Sequence, residues 1–406
     1  MPESIGLVLA GGGARGAYEI GALRTLLPWL EREGRRPDVI VGTSVGALNA
    51  AYLAANAGDD SETLAKAAWN EWLDISYEDV LEPFLSLREL ATAWRVPLGV
   101  VLRRVLPYSL LQPAPLAEKL RKLVAFEHIH ENVEKDDVAL RVCAVVATAA
   151  HTNRSVVFHD GGPEPASDER RGIDYVATRI TSEHVRASAA IPVAFPAVQV
   201  DKPPSHAGWY FDGGTRLNTP IKPAFELGAE RVVVIGLNSL ASAPPSTERG
   251  DLFDGASQLV QGLLVDPLMN DVETLATINE TVQAGGGDAA GGGNRRVVPY
   301  IFVAPQRANT IGAIAKEVYE KSYNGLRGVL ASRDLYLLGR LVGADRNTTR
   351  GELFSYPFFA REFARRLLEL GRRDAQAWID SSHDADGWQI RPLPLRDDPR
   401  GAYVIH

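Results

Sequence analysis

The sequence predicts an α/β fold with a mostly parallel central sheet flanked by helices. Short apolar runs alternate with amphipathic helical stretches from the first residues onward. The opening segment reads strand, helix, strand, helix, the unit that lays two strands parallel with a right-handed crossover. The composition, 45% hydrophobic and 23% charged over 406 residues, suits a globular chain with a sizeable core, as one large domain or two ordinary ones.

The elements follow in order. "IGLVLA" is a short buried strand, and residues 16 to 33 set Ala17, Ile20, Leu23, Leu27 and Leu30 at helical spacing. "PDVIVG" is the second strand, and "SVGALNAAYLAANAG" a small-residue helix that Gly58 is expected to cap. Residues 61 to 126 read as mostly helical, interrupted by Pro83, Pro97, Pro107, Pro113 and Pro115. "ALRVCAVVATAA" and "RSVVFHD" resemble strands, residues 163 to 173 a loop and "SEHVRASAAI" a helix. "GWYFDGG" is a strand running into a turn, and "RVVVIGLNS" another buried strand. After Ser239 the character changes: a linker-like "LASAPPSTERGD", a low-complexity glycine tract at 284 to 296, the strand "VVPYIFVAP", and helices expected at 310 to 343 and 358 to 379. The division this suggests is residues 5 to 237 and a largely helical extension, 238 to 406, packing on them, with a mobile glycine loop at 284 to 293.

Several function classes fall away. A net charge of −8 offers no basic surface for nucleic acid. The single cysteine, Cys143, permits no internal disulfide and reads as a buried strand residue. No metal site is expected: the eight histidines show no ligand spacing on a helix, and the "HIH" at 128 to 130 reads as surface. The N-terminus lacks a basic stretch followed by an apolar core, and no run of about 18 apolar residues exists. Neither a signal peptide nor a spanning helix is expected, and a cytoplasmic location is.

The first glycine loop, "AGGGARGAY", poses a choice. Gly11, Gly13 and Gly16 fit the spacing of a dinucleotide turn, but that fold needs an acid at the end of the second strand. Here the strand ends in Gly42-Thr43-Ser44-Val45-Gly46, the G-x-S-x-G of a nucleophile elbow in the strand-to-helix context that such a turn requires. Both loops leave the carboxyl ends of strands joined by one crossover, so they should meet. Glycine N–H groups beside an exposed serine describe an oxyanion hole, with Arg15 either adding positive charge or bracing the loop. The bland alternative is two glycine-rich turns and a capping serine. No histidine follows in the order of a standard triad, whereas "WYFDGGTRLNTP" offers Asp212 as a direct base at a strand end. Asp160 also begins a D-G-G, in a weaker context.

These blocks, in this order, resemble the patatin-like phospholipases: "GGGARG", "GTSVG", "ASAAIPVAFPAV" at 187 to 198, and "DGG" followed by Asn218 and Pro220. "SLLQPAPLAEKLRKLV" and "RGELFSYPFFAREFARRLLELGRRDA" are similar to weaker segments of the family. The resemblance implies a three-layer patatin-like fold and a serine acyl hydrolase of lipid esters, of phospholipase A or lysophospholipase type. It implies a Ser44–Asp212 dyad, an oxyanion hole around Gly11, Gly12, Gly13, Arg15 and Gly16, an elbow flanked by Gly42 and Gly46, an acyl-enzyme, and no cofactor. The expected partner is a lipid or acyl ester, with peripheral membrane contact. Residues 94 to 111 read either as a lid or docking face or as an ordinary core helix. Alternatives left open are a general carboxylesterase or acyltransferase with the same dyad, and a non-catalytic lipid- or nucleotide-binding module.

Overall fold

The computed structural model describes residues 3–80, 114–192, 195–239, 297–324, 332–344, 348–381 and 387–390, together with Gly255, Asn279 and Gly328. The expected lid or docking stretch at 94 to 111, the linker at 240 to 251, the glycine tract at 284 to 293 and nearly all of the tail after residue 381 lie outside the described residues.

The chain opens β1 (Ile5–Leu9), α1 (Gly16–Arg32), β2 (Val39–Thr43), α2 (Val45–Ala55), as expected. Next come α3 (Ser61–Asp74), α4 (Tyr77–Val80), α5 (Ala114–Leu123) and α6 (Phe126–Glu134). β3 (Val142–Ala149), β4 (Ser155–Asp160) and β5 (Ile173–Ala177) follow, then α7 (Ser182–Ser188), β6 (Val198–Val200), β7 (Gly208–Asp212), α8 (Ile221–Glu226) and β8 (Arg231–Ile235). The C-terminal part contributes β9 (Tyr300–Val303), α9 (Thr310–Val318), α10 (Arg333–Val342), α11 (Thr348–Ser355) and α12 (Arg361–Asp380).

One mixed sheet runs β5-β4-β3-β2-β1-β8-β9, with β7 on β3 and β6 on β7. The β3–β2–β1–β8–β9 stretch is all parallel, and β4 is antiparallel to β3. Both faces are covered, so the strands read as apolar runs whose alternate residues enter different cores. Leu7, Leu9, Ile40, Cys143, Val145 and Ile235 join the core under α1, α2 and α12, while Val8, Val41, Ala144 and Val234 join the one under α8. Cys143 is a fully buried free thiol, as expected.

The edge of β3 matters most. β4 pairs with Cys143 to Thr148 along one edge. β2 occupies the other edge from Val142 to Val146, and β7 takes over from Ala147 to Ala149. β2 and β7 therefore end nose to nose, Thr43 opposite Val146 and Asp212 opposite Ala147.

Several local expectations shift. α2 closes at Asn56 rather than Gly58: the Asn56 side chain donates to the Tyr52 carbonyl (2.8 Å) and caps the last turn itself. Within the expected helical stretch at 310 to 343, α9 runs into a π turn over Tyr319–Tyr323 that ends at the extended Asn324, and α10 starts where the Ser332 side chain accepts from the Leu335 N–H. α11 and the short strands β5 and β6 fall in stretches too short or too polar for periodicity to register. Among the described residues no helix is long and apolar enough to cross a membrane.

α12 lies along α1, and glycines set their separation. A Cβ at Gly21 would overlap the Leu368 carbonyl, and one at Gly371 the Tyr18 carbonyl. Glycine inside a helix costs about 1 kcal/mol relative to alanine, so close packing is what these two provide. Gly371→Ala is expected to destabilise the protein by about 1–3 kcal/mol through overpacking, read as a lowered melting temperature; a variant as stable as wild type would contradict the close crossing.

Candidate active site

The nose-to-nose ends of β2 and β7 bring two side chains together. Ser44 leaves β2 with φ 55° and ψ −121°, a left-handed conformation that a serine adopts only under constraint. The flanking glycines allow it: a Cβ at Gly42 would overlap the Gly46 carbonyl, and one at Gly46 the Leu9 carbonyl. Ser44 Oγ donates to Asp212 Oδ2 at 2.6 Å. The second carboxylate oxygen, Oδ1, accepts the Gly214 N–H at 2.7 Å, so the D-G-G turn fixes the carboxyl plane. Both residues are buried, 5% and 4% exposed.

Neighbouring polar groups hold this pair. The Ser44 N–H donates to Ser188 Oγ (2.8 Å), which itself donates to the Val146 carbonyl (2.5 Å). Val146 is the last rung before β2 gives way to β7, and the serine bridges that gap. The Asp212 N–H donates to the Ala190 carbonyl, and Thr43 Oγ1 to the Leu217 carbonyl. Ser188 belongs to the quoted 187-to-198 block, yet its role was not legible there. A run of small residues was the only signal.

Most backbone donors of the glycine loop are engaged. The Ala10 N–H goes to the buried Glu19 carboxylate and that of Gly11 to the Asn218 carbonyl (3.3 Å). Those of Ala14, Arg15 and Gly16 go to the carbonyls of Tyr356, Gly12 and Gly13. Among the described residues the N–H groups of Gly12 and Gly13 have no acceptor. Gly11 borders the serine closely: a Cβ there would stand 3.0 Å from Ser44 Cβ. Gly16 has a packing role, since a Cβ would collide with Val45 and Trp72.

Of the two readings of Arg15, the structure favours the brace. It is 1% exposed, and its guanidinium donates to Ser355, Asn238 and Glu352. Its charge is paired with the buried Glu352 carboxylate.

Asp160 lies elsewhere. It pairs with Cys143 across the opposite edge of β3 from β7, and Cys143 is four rungs, about 13 Å along the strand, from Ala147. His130 Nδ1 holds its carboxylate at 2.9 Å, so His128 alone of that pair is the exposed residue expected. His184 is also committed, its ring nitrogens facing Thr181 and the Lys202 carbonyl. Among the described residues neither Ser44 nor Asp212 has a histidine partner, and no group of three or more His, Cys, Asp or Glu gathers to hold a metal.

The model of the patatin-like phospholipases matches residues 7–225, over half of the chain. The chain belongs to the patatin-like phospholipase family. Its glycine loop, elbow and D-G-G turn all fall inside the matched span. A patatin-like phospholipase domain-containing protein of Caenorhabditis elegans is 41% identical over 84 residues, 18% of this chain and 6% of that protein. A lysophospholipase of Aspergillus terreus is 48% identical over 55 residues, 14% of this chain and 3% of that protein. The likeness thus spans a small part of each of these longer relatives. The crystal structure of VipD from Legionella pneumophila aligns with 75% of this chain and 62% of its own at 16% identity and a TM-score of 0.29.

Burial pushes the Asp212 carboxyl up to about 7, against the lowering effects of the Ser44 and Gly214 hydrogen bonds. A carboxyl that binds its proton more tightly folded than unfolded stabilises the fold at low pH, and that contribution is lost as pH rises through the folded value. Asp212→Asn is therefore expected to melt above wild type at about pH 8.5, with the gap closing toward about pH 5. Equal melting at both pH values would contradict a desolvated carboxylate.

Proposed function

We propose that this protein hydrolyses lipid esters, in the manner of a phospholipase A or lysophospholipase, through a serine–aspartate dyad. The observation that carries the reading is the 2.6 Å hydrogen bond from a strained, buried Ser44 to Asp212. A serine hydroxyl is a weak nucleophile until a base removes its proton, and among the described residues the base in contact is this carboxylate. The raised proton affinity of Asp212 suits the task, because a carboxyl near its ordinary value is a poor acceptor at neutral pH.

The steps follow from the atoms present. Ser44 Oγ attacks the acyl carbonyl as its proton passes to Asp212. The carbonyl oxygen becomes an oxyanion, with the unpaired Gly12 and Gly13 N–H groups as its donors. The bond to the alcohol breaks, and the leaving oxygen takes the proton from Asp212. Water then gives its proton to Asp212 and attacks the acyl-serine, releasing the fatty acid and restoring the hydroxyl. Family membership supports the lipid ester as substrate class, as does the lysophospholipase relative.

Ser44→Ala and Asp212→Asn are each expected to lower kcat on p-nitrophenyl butyrate and on lysophosphatidylcholine by at least about a thousandfold. Asp160→Asn should remain within a few fold of wild type. In the wild type, kcat/KM should rise with pH through an acidic limb near 7 as Asp212 ionises. Near-normal activity of Asp212→Asn, or loss of activity in Asp160→Asn alone, would overturn the dyad.

A further inference from the structure

We propose that Glu352, Ser355 and Tyr356, far beyond the family-matched span, are positioning residues for the oxyanion loop. They make the C-terminal region part of the catalytic unit. This inference rests on the reading of Gly12 and Gly13 as oxyanion donors.

The loop is gripped from behind at two successive residues. The Ala14 N–H donates to the Tyr356 carbonyl at 2.8 Å, directly after the two unpaired glycine N–H groups. Gly13 has φ +59°, and a Cβ on it would overlap the same Tyr356 carbonyl, so that backbone sets how closely the loop turns. Arg15 follows, with every guanidinium nitrogen engaged. Nε donates to Ser355 Oγ (2.7 Å), Nη1 to Asn238 Oδ1 (2.8 Å), and Nη2 to both the carbonyl (2.6 Å) and Oε2 (2.5 Å) of Glu352. The Tyr356 ring lies under the guanidinium, 3.9 Å from Cζ to its centroid.

The acceptors are themselves fixed. Glu352 Oε1 takes the Gly312 N–H at 2.7 Å, tying α11 to the start of α9. Ser355 Oγ accepts from Arg15 and donates to the Glu352 carbonyl (2.6 Å). A Cβ at Gly351 would overlap the Gly312 carbonyl, so the two helices touch at backbone level. This is a rigid socket for one side chain rather than a flexible surface pairing.

A buried ion pair is a poor way to gain stability, because desolvation offsets most of its attraction. What it supplies is direction: a planar, five-donor group with fixed acceptors has one orientation. Here that orientation is passed to residues 13 to 15 of the loop. The matched family span ends at residue 225, and Asn238, Glu352, Ser355 and Tyr356 all lie past it.

The test uses the full chain with Glu352→Gln, which removes one of two carboxylate acceptors, and Tyr356→Leu, which removes the stacked ring but keeps the carbonyl. The readouts are kcat and KM on p-nitrophenyl butyrate, the inhibition constant of a short alkyl trifluoromethyl ketone, and the melting temperature. Such a ketone becomes a tetrahedral oxyanion on an active serine and so reports on the donors directly. Both variants are expected to lose about tenfold or more in kcat, with the ketone weakened by a similar factor and KM within about twofold. Folded variants with kcat and ketone affinity within about twofold of wild type would overturn the proposal. So would losses that track only the fraction of folded protein, including failure of both variants to fold. If only Glu352→Gln fails to fold, Tyr356→Leu decides by the same criteria. Ser44→Ala runs alongside: if it stays active, the reading of the site falls first, whereas an inactive Ser44→Ala with unaffected clamp variants removes the clamp alone.

Discussion

Two strands that share one edge of β3 and end against each other are the constraint on which the rest of this site depends. β2 stops at Thr43, opposite Val146, and β7 begins its pairing one rung later with Asp212 opposite Ala147. Ser44 and Asp212 are 168 positions apart in sequence, yet the ladder leaves them nowhere to be but side by side. The gap between the strand ends needs a filler, and Ser188 provides it by accepting from Ser44 and donating to Val146. Contact between hydroxyl and carboxylate is thus a property of sheet register, fixed by many backbone hydrogen bonds rather than by the two side chains.

Burial does the remaining chemical tuning. An aspartate in water is too weak a base to help a serine; enclosed, it is pushed up to about 7. The cost is a carboxylate that the fold would be more stable without at alkaline pH, a local conflict of the kind expected where a chain gives up stability for reactivity. The glycine loop follows the same logic. Its N–H groups are satisfied on either side of Gly12 and Gly13, and among the described residues these two have no acceptor.

Much of this was legible in the sequence because it is local. Strand, helix and glycine spacing mark β1, α1, β2 and α2, and the elbow needs its glycines within two residues of the serine. Asp212 stood out from Asp160 only through its flanking blocks, and register supplies the physical difference between them. Arg15 was visible but ambiguous, because a cation next to a glycine loop looks the same whether it faces a substrate or a buried glutamate. Glu352 and Tyr356 fall in a block similar only to a weaker segment of the family, and the loop residues they hold are more than 330 positions away. The interruptions at Asn324 and Ser332 are hidden by apolar spacing that continues across them. β5 and β6 are short strands whose pairing, rather than composition, defines them.

The proposed function stands or falls with Ser44 as a nucleophile activated by Asp212. Its most direct test is peptide mapping by mass spectrometry after treatment with an alkyl fluorophosphonate, which forms a stable adduct only with an activated serine. One adduct is expected, on the peptide containing Ser44, formed faster as pH rises through about 7 and nearly abolished in Asp212→Asn. An adduct on another serine, or equal labelling of the Asp212→Asn protein, would contradict it.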